Sequence, residues 1–264
     1  MHAIDFAAAF RKIVRKGGCN YVAVFFLTAC LSPAISAPTT AATDIEIAVQ
    51  LADLLRSART VIASKQNMIN KPSTGDKGLT GAIVTREALA IFHKRSSGPI
   101  SFDDPNALSD RLLRAQIAAI GEVVDENQST INRPGIGFKG FVPAVFARLV
   151  NERFKDKVGL YAEIKVTAPM ELVRNRKARP DHWERENIRN KLMSPDWRKG
   201  ELFSAVAKKL RRKAFRVLVP KYYGKNCLSC HGGPKGEMDI TGYPKEGVKA
   251  GSLAGAISIT LYRP

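Results

Sequence analysis

Lys157-Val158-Gly159-Leu160-Tyr161-Ala162-Glu163-Ile164-Lys165-Val166-Thr167 is the stretch at which the hydrophobic pattern of this chain changes period. Its apolar and polar positions alternate, as they do in a strand that turns one face to a core and the other away. Upstream, apolar residues recur at helical spacing instead. Ile45, Val49, Leu51, Leu54, Leu55, Val61 and Ile62 predict a long amphipathic helix over Ile45–Met68, ended by Asn70-Lys71-Pro72-Ser73-Thr74-Gly75-Asp76. Further helices are predicted over Thr85–Lys94, over Ala107–Glu122 after Asp104-Pro105-Asn106, and over Val142–Phe154. Downstream, Ala168 to Leu192 reads as a polar, arginine-rich connection with a short helix near Trp183. Glu201–Ala207 and Ala214–Tyr223 read as a hairpin around a Lys/Arg turn, and Gly255–Tyr262 (GAISITLY) as a closing strand. Helices followed by an antiparallel sheet make an α+β fold. No internal repeat is visible, and residues 44–264 are enough for one domain with its own core.

Between the last two strands lies Cys227-Leu228-Ser229-Cys230-His231. C-x-x-C-H is the attachment sequence of a c-type haem. Each thiol adds to one vinyl group, and the adjacent histidine supplies an imidazole to the iron as proximal ligand. Two intervening residues let one turn of backbone present both sulfurs along one haem edge. A structural zinc site would need two more ligands at similar spacing. The remaining histidines are His2, His93 and His182, and the remaining cysteines are Cys19 and Cys30. A dithiol redox motif should open a helix, whereas Gly232-Gly233-Pro234 follows here at once. One covalent haem c is therefore the expected cofactor.

The N-terminus reads as an export signal over residues 1–29. Arg11, Lys12, Arg15 and Lys16 precede a short apolar run, Tyr21 to Ala29, too short for a membrane span of about 20 residues. Leu27-Thr28-Ala29-Cys30 resembles a lipobox, with Cys30 as a lipid anchor; the other route is ordinary cleavage at a small residue up to position 42. Residues 30–43 form a linker. Either route places the mature protein in the periplasm, with or without a membrane anchor. The formal charge is +18, and loss of residues 1–29 removes four basic residues and one acidic, leaving +15. A domain this basic often binds nucleic acid, but export argues against that partner. What remains is a solvated basic surface, or steering toward an acidic redox partner or anionic headgroups. The basic clusters Lys208-Lys209 and Arg211-Arg212-Lys213 are expected in one exposed turn.

The stretch from about Asp44 to Pro264 resembles a bacterial family of periplasmic c-type haem domains with a PAS-like fold. Its members occur as stand-alone secreted proteins and as sensor regions of histidine kinases. The resemblance is carried by Ala58-Arg59-Thr60-Val61-Ile62, Asn70, Gly75-Asp76-Lys77-Gly78 and Gly140-Phe141-Val142-Pro143-Ala144. It continues through Arg174-Asn175, Arg179-Pro180, Trp183-Glu184, Val219-Pro220, the haem motif with Gly232, and Gly251…Gly255-Ala256-Ile257-Ser258. Ala178 and Arg179 depart from the family's pattern, falling where its second Asn motif would continue. Some members supply the second axial ligand from a distant cysteine. After Cys30 this chain has no cysteine outside the motif.

The sixth iron position is left with Met68, Met238, His93 or an open site. Met68 stands first, at the end of the first long helix. Met238 is close in sequence to His231, and His93, beside Lys94 and Arg95, reads as an exposed helix residue. Arg174 and Arg179 are candidates to pair with the haem propionates, since a guanidinium binds a carboxylate bidentately; the other reading makes them solvated charges. Trp183 is expected to pack against the sheet. No hydrolytic constellation, P-loop or zinc-protease helix is visible, so no enzyme is expected. The expectation is an exported monohaem cytochrome serving as a redox or small-ligand sensor module, with a membrane sensor or kinase as partner. The alternative is a one-electron carrier to a redox partner, which Lys221, Lys225 and Lys235 beside the motif would suit.

Overall fold

The structure, a computed structural model, describes residues 43–96, 102 and 104–262. The leader, Cys30 and the linker up to residue 42 lie outside them. Helix α1 (Asp44–Ser64) opens on a capping box. The Thr43 side chain accepts from the Glu46 backbone N–H, and the Glu46 carboxylate accepts from the Thr43 N–H. Its buried stripe of Leu51, Leu54, Leu55, Ala58, Val61 and Ile62 runs through the middle of the helical layer. A turn at Lys65 separates it from α2 (Gln66–Ile69), so the predicted single helix is broken near its end. Next come α3 (Gly81–Arg95), α4 (Leu108–Glu126), the short α5 (Gln128–Ile131) and α6 (Pro143–Val158). α3 and α4 meet closely at Gly81, where a Cβ would stand 2.2 Å from the Gly121 carbonyl oxygen.

α6 carries proline at its first position and buries Phe146, Val150, Phe154 and Val158. That stripe continues one turn past Phe154. Lys157 and Val158 are therefore helical, Gly159 ends the helix at φ +56°, and strand β1 spans only Ala162–Thr167. The predicted strand begins too early because Val158 satisfies the helical and the alternating pattern alike.

α7 (His182–Asn187) continues into a π-helical turn over Ile188–Leu192. β2 (Phe203–Lys209) and β3 (Arg212–Tyr222) form the expected hairpin, with Leu210 and Arg211 at its tip in the left-handed region. After α8 (Leu228–His231), β4 (Leu253–Tyr262) completes a four-stranded antiparallel sheet of order β1-β4-β3-β2. The last strand in sequence thus lies between β1 and β3. It is buried on both faces, which is why it reads as a near-continuous apolar run.

Ile164, Val217, Val219, Ile257 and Ile259 face the helices. The other face, with Leu218 and Ala256, is covered by Ile188, Leu192, Trp183, Trp197 and Phe203. Trp183 packs on the sheet as expected, its ring 5.8 Å from that of Phe203. Under it, Arg216 is 1% exposed, with its guanidinium carbon 4.3 Å from the Trp183 ring centroid. Arg216 pairs with Asp181 at 2.6 Å, and Glu184, fully buried, pairs with Lys165 at 2.5 Å. The Trp-Glu pair singled out in the sequence is thus support for the sheet.

Antiparallel pairing brings Thr167, Ala256 and Pro220 to one end of the sheet. The C-x-x-C-H turn is attached at that same end. Among the described residues no helix is long and apolar enough to cross a membrane.

Candidate haem site

β3 loses register between Lys221 and Tyr222, and the chain leaves the sheet. Tyr223 holds the exit, donating its N–H to the Ser252 carbonyl (3.0 Å) and accepting from Gly251 (2.8 Å). A 3-10 turn over Lys225–Cys227 runs directly into the single helical turn of α8. Cys227 and Cys230 are therefore one turn apart, as free, half-buried thiols. Gly232 closes the turn, its N–H donating to the Leu228 carbonyl at 2.9 Å. A Cβ at position 232 would stand 2.6 Å from that carbonyl oxygen, so the residue after the histidine has to be glycine here.

His231 is held by Glu246, which sequence reading did not find, and through it by Arg174, which it did. His231 Nδ1 lies 2.8 Å from Glu246 Oε2. A carboxylate there accepts a hydrogen bond from Nδ1–H and leaves Nε2 free for a metal, the usual arrangement behind a ligating histidine. Arg174 holds Glu246 through Nε and Nη2, at 2.6 and 2.9 Å. Its Nη1 donates to Asp239 at 2.6 Å, and Nη2 also donates to the Cys230 carbonyl at 2.8 Å. One guanidinium thus ties the haem turn to the loop that follows it. Burial alone would push Asp239 up. Hydrogen bonds from Thr241, Arg174 and the Tyr243 backbone outweigh it and hold the carboxyl well below its usual range. Glu246 is likewise lowered, burial being outweighed by Arg174 and His231. The Tyr223 ring backs the His231 ring at 5.1 Å, and Val248 N–H donates to the His231 carbonyl.

Of the other predicted residues Arg174 belongs to this cluster, whereas Arg179, Met68 and His93 do not take part in it. The donors of Arg174 go to Glu246, Asp239 and the Cys230 carbonyl, so it holds the turn. Arg179 is exposed; its carbonyl accepts from Lys165, at 3.0 Å, on the edge strand. Met68 packs, partly buried, against the helical core. The α1 residue that touches β3 beside the motif is Arg56, whose Nη2 donates to the Pro220 carbonyl at 2.7 Å. Met68 lies beyond the break at Lys65, on α2. His93 is exposed on α3. Met238 is 60% exposed, on the loop that carries Glu246. Of the lysines beside the motif, Lys225 and Lys235 are exposed, whereas Lys221 is half-buried.

The residues fit a c-type haem. Two free thiols share one turn, and a histidine is oriented with Nε2 free. A half-buried arginine, Arg59, carries an Nε with no hydrogen-bond partner. Glu246 and Asp239 lack any periodic signal in a Gly- and Pro-rich loop. The usable clue was chemical, since a ligating histidine needs an acceptor on its second nitrogen.

No curated protein and no solved structure matches the chain. The model of the family described as "Tll0287-like: Tll0287" matches residues 40–261. The chain belongs to this Tll0287-like family, a membership that suits the cytochrome-like domain indicated by the motif.

Proposed function

We propose that this member of the Tll0287-like family is an exported monohaem c-type protein. In this reading it works in the periplasm as a redox- or small-ligand-sensing module with a PAS-like sheet. Cys227 and Cys230 would carry the two thioethers and His231 the iron. The observation that carries the reading is the Arg174–Glu246–His231 chain of hydrogen bonds. It orients an imidazole that an ordinary surface histidine would leave free to rotate. When bound, the haem would supply a one-electron iron couple.

The chain's own residues set its properties. Glu246 holds the proton on Nδ1 and makes the imidazole more basic. That favours ferric iron and a low potential. Arg174 fixes Glu246 in place, and Tyr223 limits ring tilt. Met68, packed in the helical core, would not serve as an iron ligand in this reading, which suits ligand sensing. The module would pass its state to a membrane sensor or kinase, and it is not an enzyme. The leader would be removed by residue 29 or by residue 42, with a lipid on Cys30 in the first case.

The exposed Lys225 and Lys235 beside the motif favour a second reading, electron transfer to an acidic partner. Absorption spectra of the purified oxidised and reduced protein, with and without carbon monoxide, separate the two. Rapid carbon monoxide binding supports the sensor. Refusal of carbon monoxide by a six-coordinate ferrous state supports the carrier.

A further inference from the structure

Most buried or half-buried cations among the described residues are matched by a carboxylate. Arg174 meets Glu246 and Asp239, and Arg216 meets Asp181. Lys165 meets Glu184, and Lys209 meets Glu163. Among the exceptions, Lys77, Lys139 and Arg212 spend their donors on backbone carbonyls, and two others stand together at the motif end of the sheet. Arg56 of α1 is satisfied by Asp53 and by the Pro220 carbonyl. Arg59 lies three residues later, within one helical turn on the same face. It is half-buried, its Nε is shielded from solvent, and among the described residues it has no hydrogen-bond partner at Nε and no carboxylate pairs with it. Lys221 follows Pro220 directly in β3. It too is half-buried without a carboxylate, its ammonium 5.8 Å from the Tyr223 ring centroid.

The two cations are in one electrostatic neighbourhood with Cys227. Burial, then Arg56, lowers Arg59 to about 10, while Cys227 opposes the shift. Burial, then Arg59, lowers Lys221 to about 8, and Cys227 again opposes it. Cys227 acts on both through space without a hydrogen bond to either, its own contact being Asn226 at 3.7 Å. Two partly desolvated like charges side by side cost stability. Such an arrangement persists where it receives an anion.

We propose that Arg59 and Lys221 form the seat for the carboxylates of the haem propionates. The proposal rests on the haem reading above, and it moves this role from Arg174 and Arg179 to residues on α1 and β3. A guanidinium offers a carboxylate a bidentate pair, and the lysine adds a second donor. Arg56 stays outside the seat, already held by Asp53 and Pro220.

The test uses the full chain, matured with haem labelled isotopically at its carboxyl carbons. Wild type is compared with Arg59→Lys, Arg59→Leu and Lys221→Met. Redox-difference infrared spectra report the propionate bands, and spectroelectrochemistry reports the midpoint potential. Loss of Arg59 charge should shift a propionate band. It should also move the ferrous/ferric balance at fixed mediator potential about tenfold toward ferric, about 59 mV for one electron. Arg59→Lys should restore part of both, and Lys221→Met should give a smaller shift of the same sign.

If Arg59→Leu does not mature, Arg59→Lys and Lys221→Met still have to move the bands. Attached haem with unmoved bands and potential in these variants overturns the seat alone. Wild type without attached haem overturns the seat and the haem reading together. Saturable binding of inorganic phosphate to the haem-loaded wild type, lost in Arg59→Leu, would show a site open to free anions and overturn the propionate assignment.

Discussion

Replacing Glu246 by glutamine tests the proximal hydrogen-bond chain. The substitution keeps the shape of the side chain and an acceptor oxygen, and removes its charge. In the structure Glu246 Oε2 is 2.8 Å from His231 Nδ1, and Arg174 grips both carboxylate oxygens at 2.6 and 2.9 Å. Hydrogen bonds to a charged partner contribute about 1.5–3 kcal/mol, against roughly 0.5–1.5 for neutral pairs. The charge of Glu246 is thus worth on the order of 1–2 kcal/mol to its partner. That stabilisation is larger in the ferric state, whose iron withdraws more charge from the imidazole. Each 1.36 kcal/mol is a tenfold change, or about 59 mV for a one-electron couple. If most of the difference is redox-linked, Glu246→Gln should raise the midpoint potential by about 40–90 mV. Arg174, left with Asp239 as its one counter-charge, pushes in the same direction. Spectroelectrochemical titration of the purified protein measures the shift. An unchanged or lowered potential, with haem attached, would refute the view that Glu246 governs the histidine.

Three further outcomes follow from the geometry. Arg216→Leu leaves Asp181 without its cation, while buried Glu184 keeps Lys165, and should cost about 3–5 kcal/mol in urea unfolding; the added substitution Asp181→Asn should recover part of that loss. Met68→Ala should lower stability by about 1–2 kcal/mol through lost packing and leave the ferric spectrum unchanged; loss of a methionine-to-iron band would instead make Met68 the sixth ligand. Lys221, lowered to about 8 from 10.5, sheds its proton more readily folded than unfolded. Its charge therefore burdens the folded haem-free protein below pH 8, and the burden fades as pH rises from 8 to 10.5. Lys221→Met in a Cys227→Ser, Cys230→Ser background should raise thermal stability at pH 7, with the advantage over Lys221 gone by pH 10.5.

The sequence was most legible where one period dominates. The stripes of α1, α4 and α6, the β2–β3 hairpin and the C-x-x-C-H turn all sit where spacing places them. It was least legible at Lys157–Tyr161, where Val158 fits both periods and only the conformation of Gly159 decides. The central place of β4 was hidden because a strand buried on both faces shows no alternation. At the site, the two cysteines and the histidine carry a fixed local spacing, and Gly232 follows from the turn they make. Glu246 and Arg174 meet across 72 positions of chain, and no local pattern encodes such a pair. Arg174 could be suspected as a cation near the haem, but its partner carboxylates were invisible. Arg59 was noted only within a family-like stretch; its isolation from any carboxylate is a property of packing.

The intact mass and acid-acetone behaviour of the purified, exported protein test the central claim most directly. The account predicts a mass one haem above the mature polypeptide, retained through extraction and lost in the Cys227→Ser, Cys230→Ser double variant. A polypeptide carrying zinc, or no added mass at all, after expression with haem-attachment machinery would contradict it.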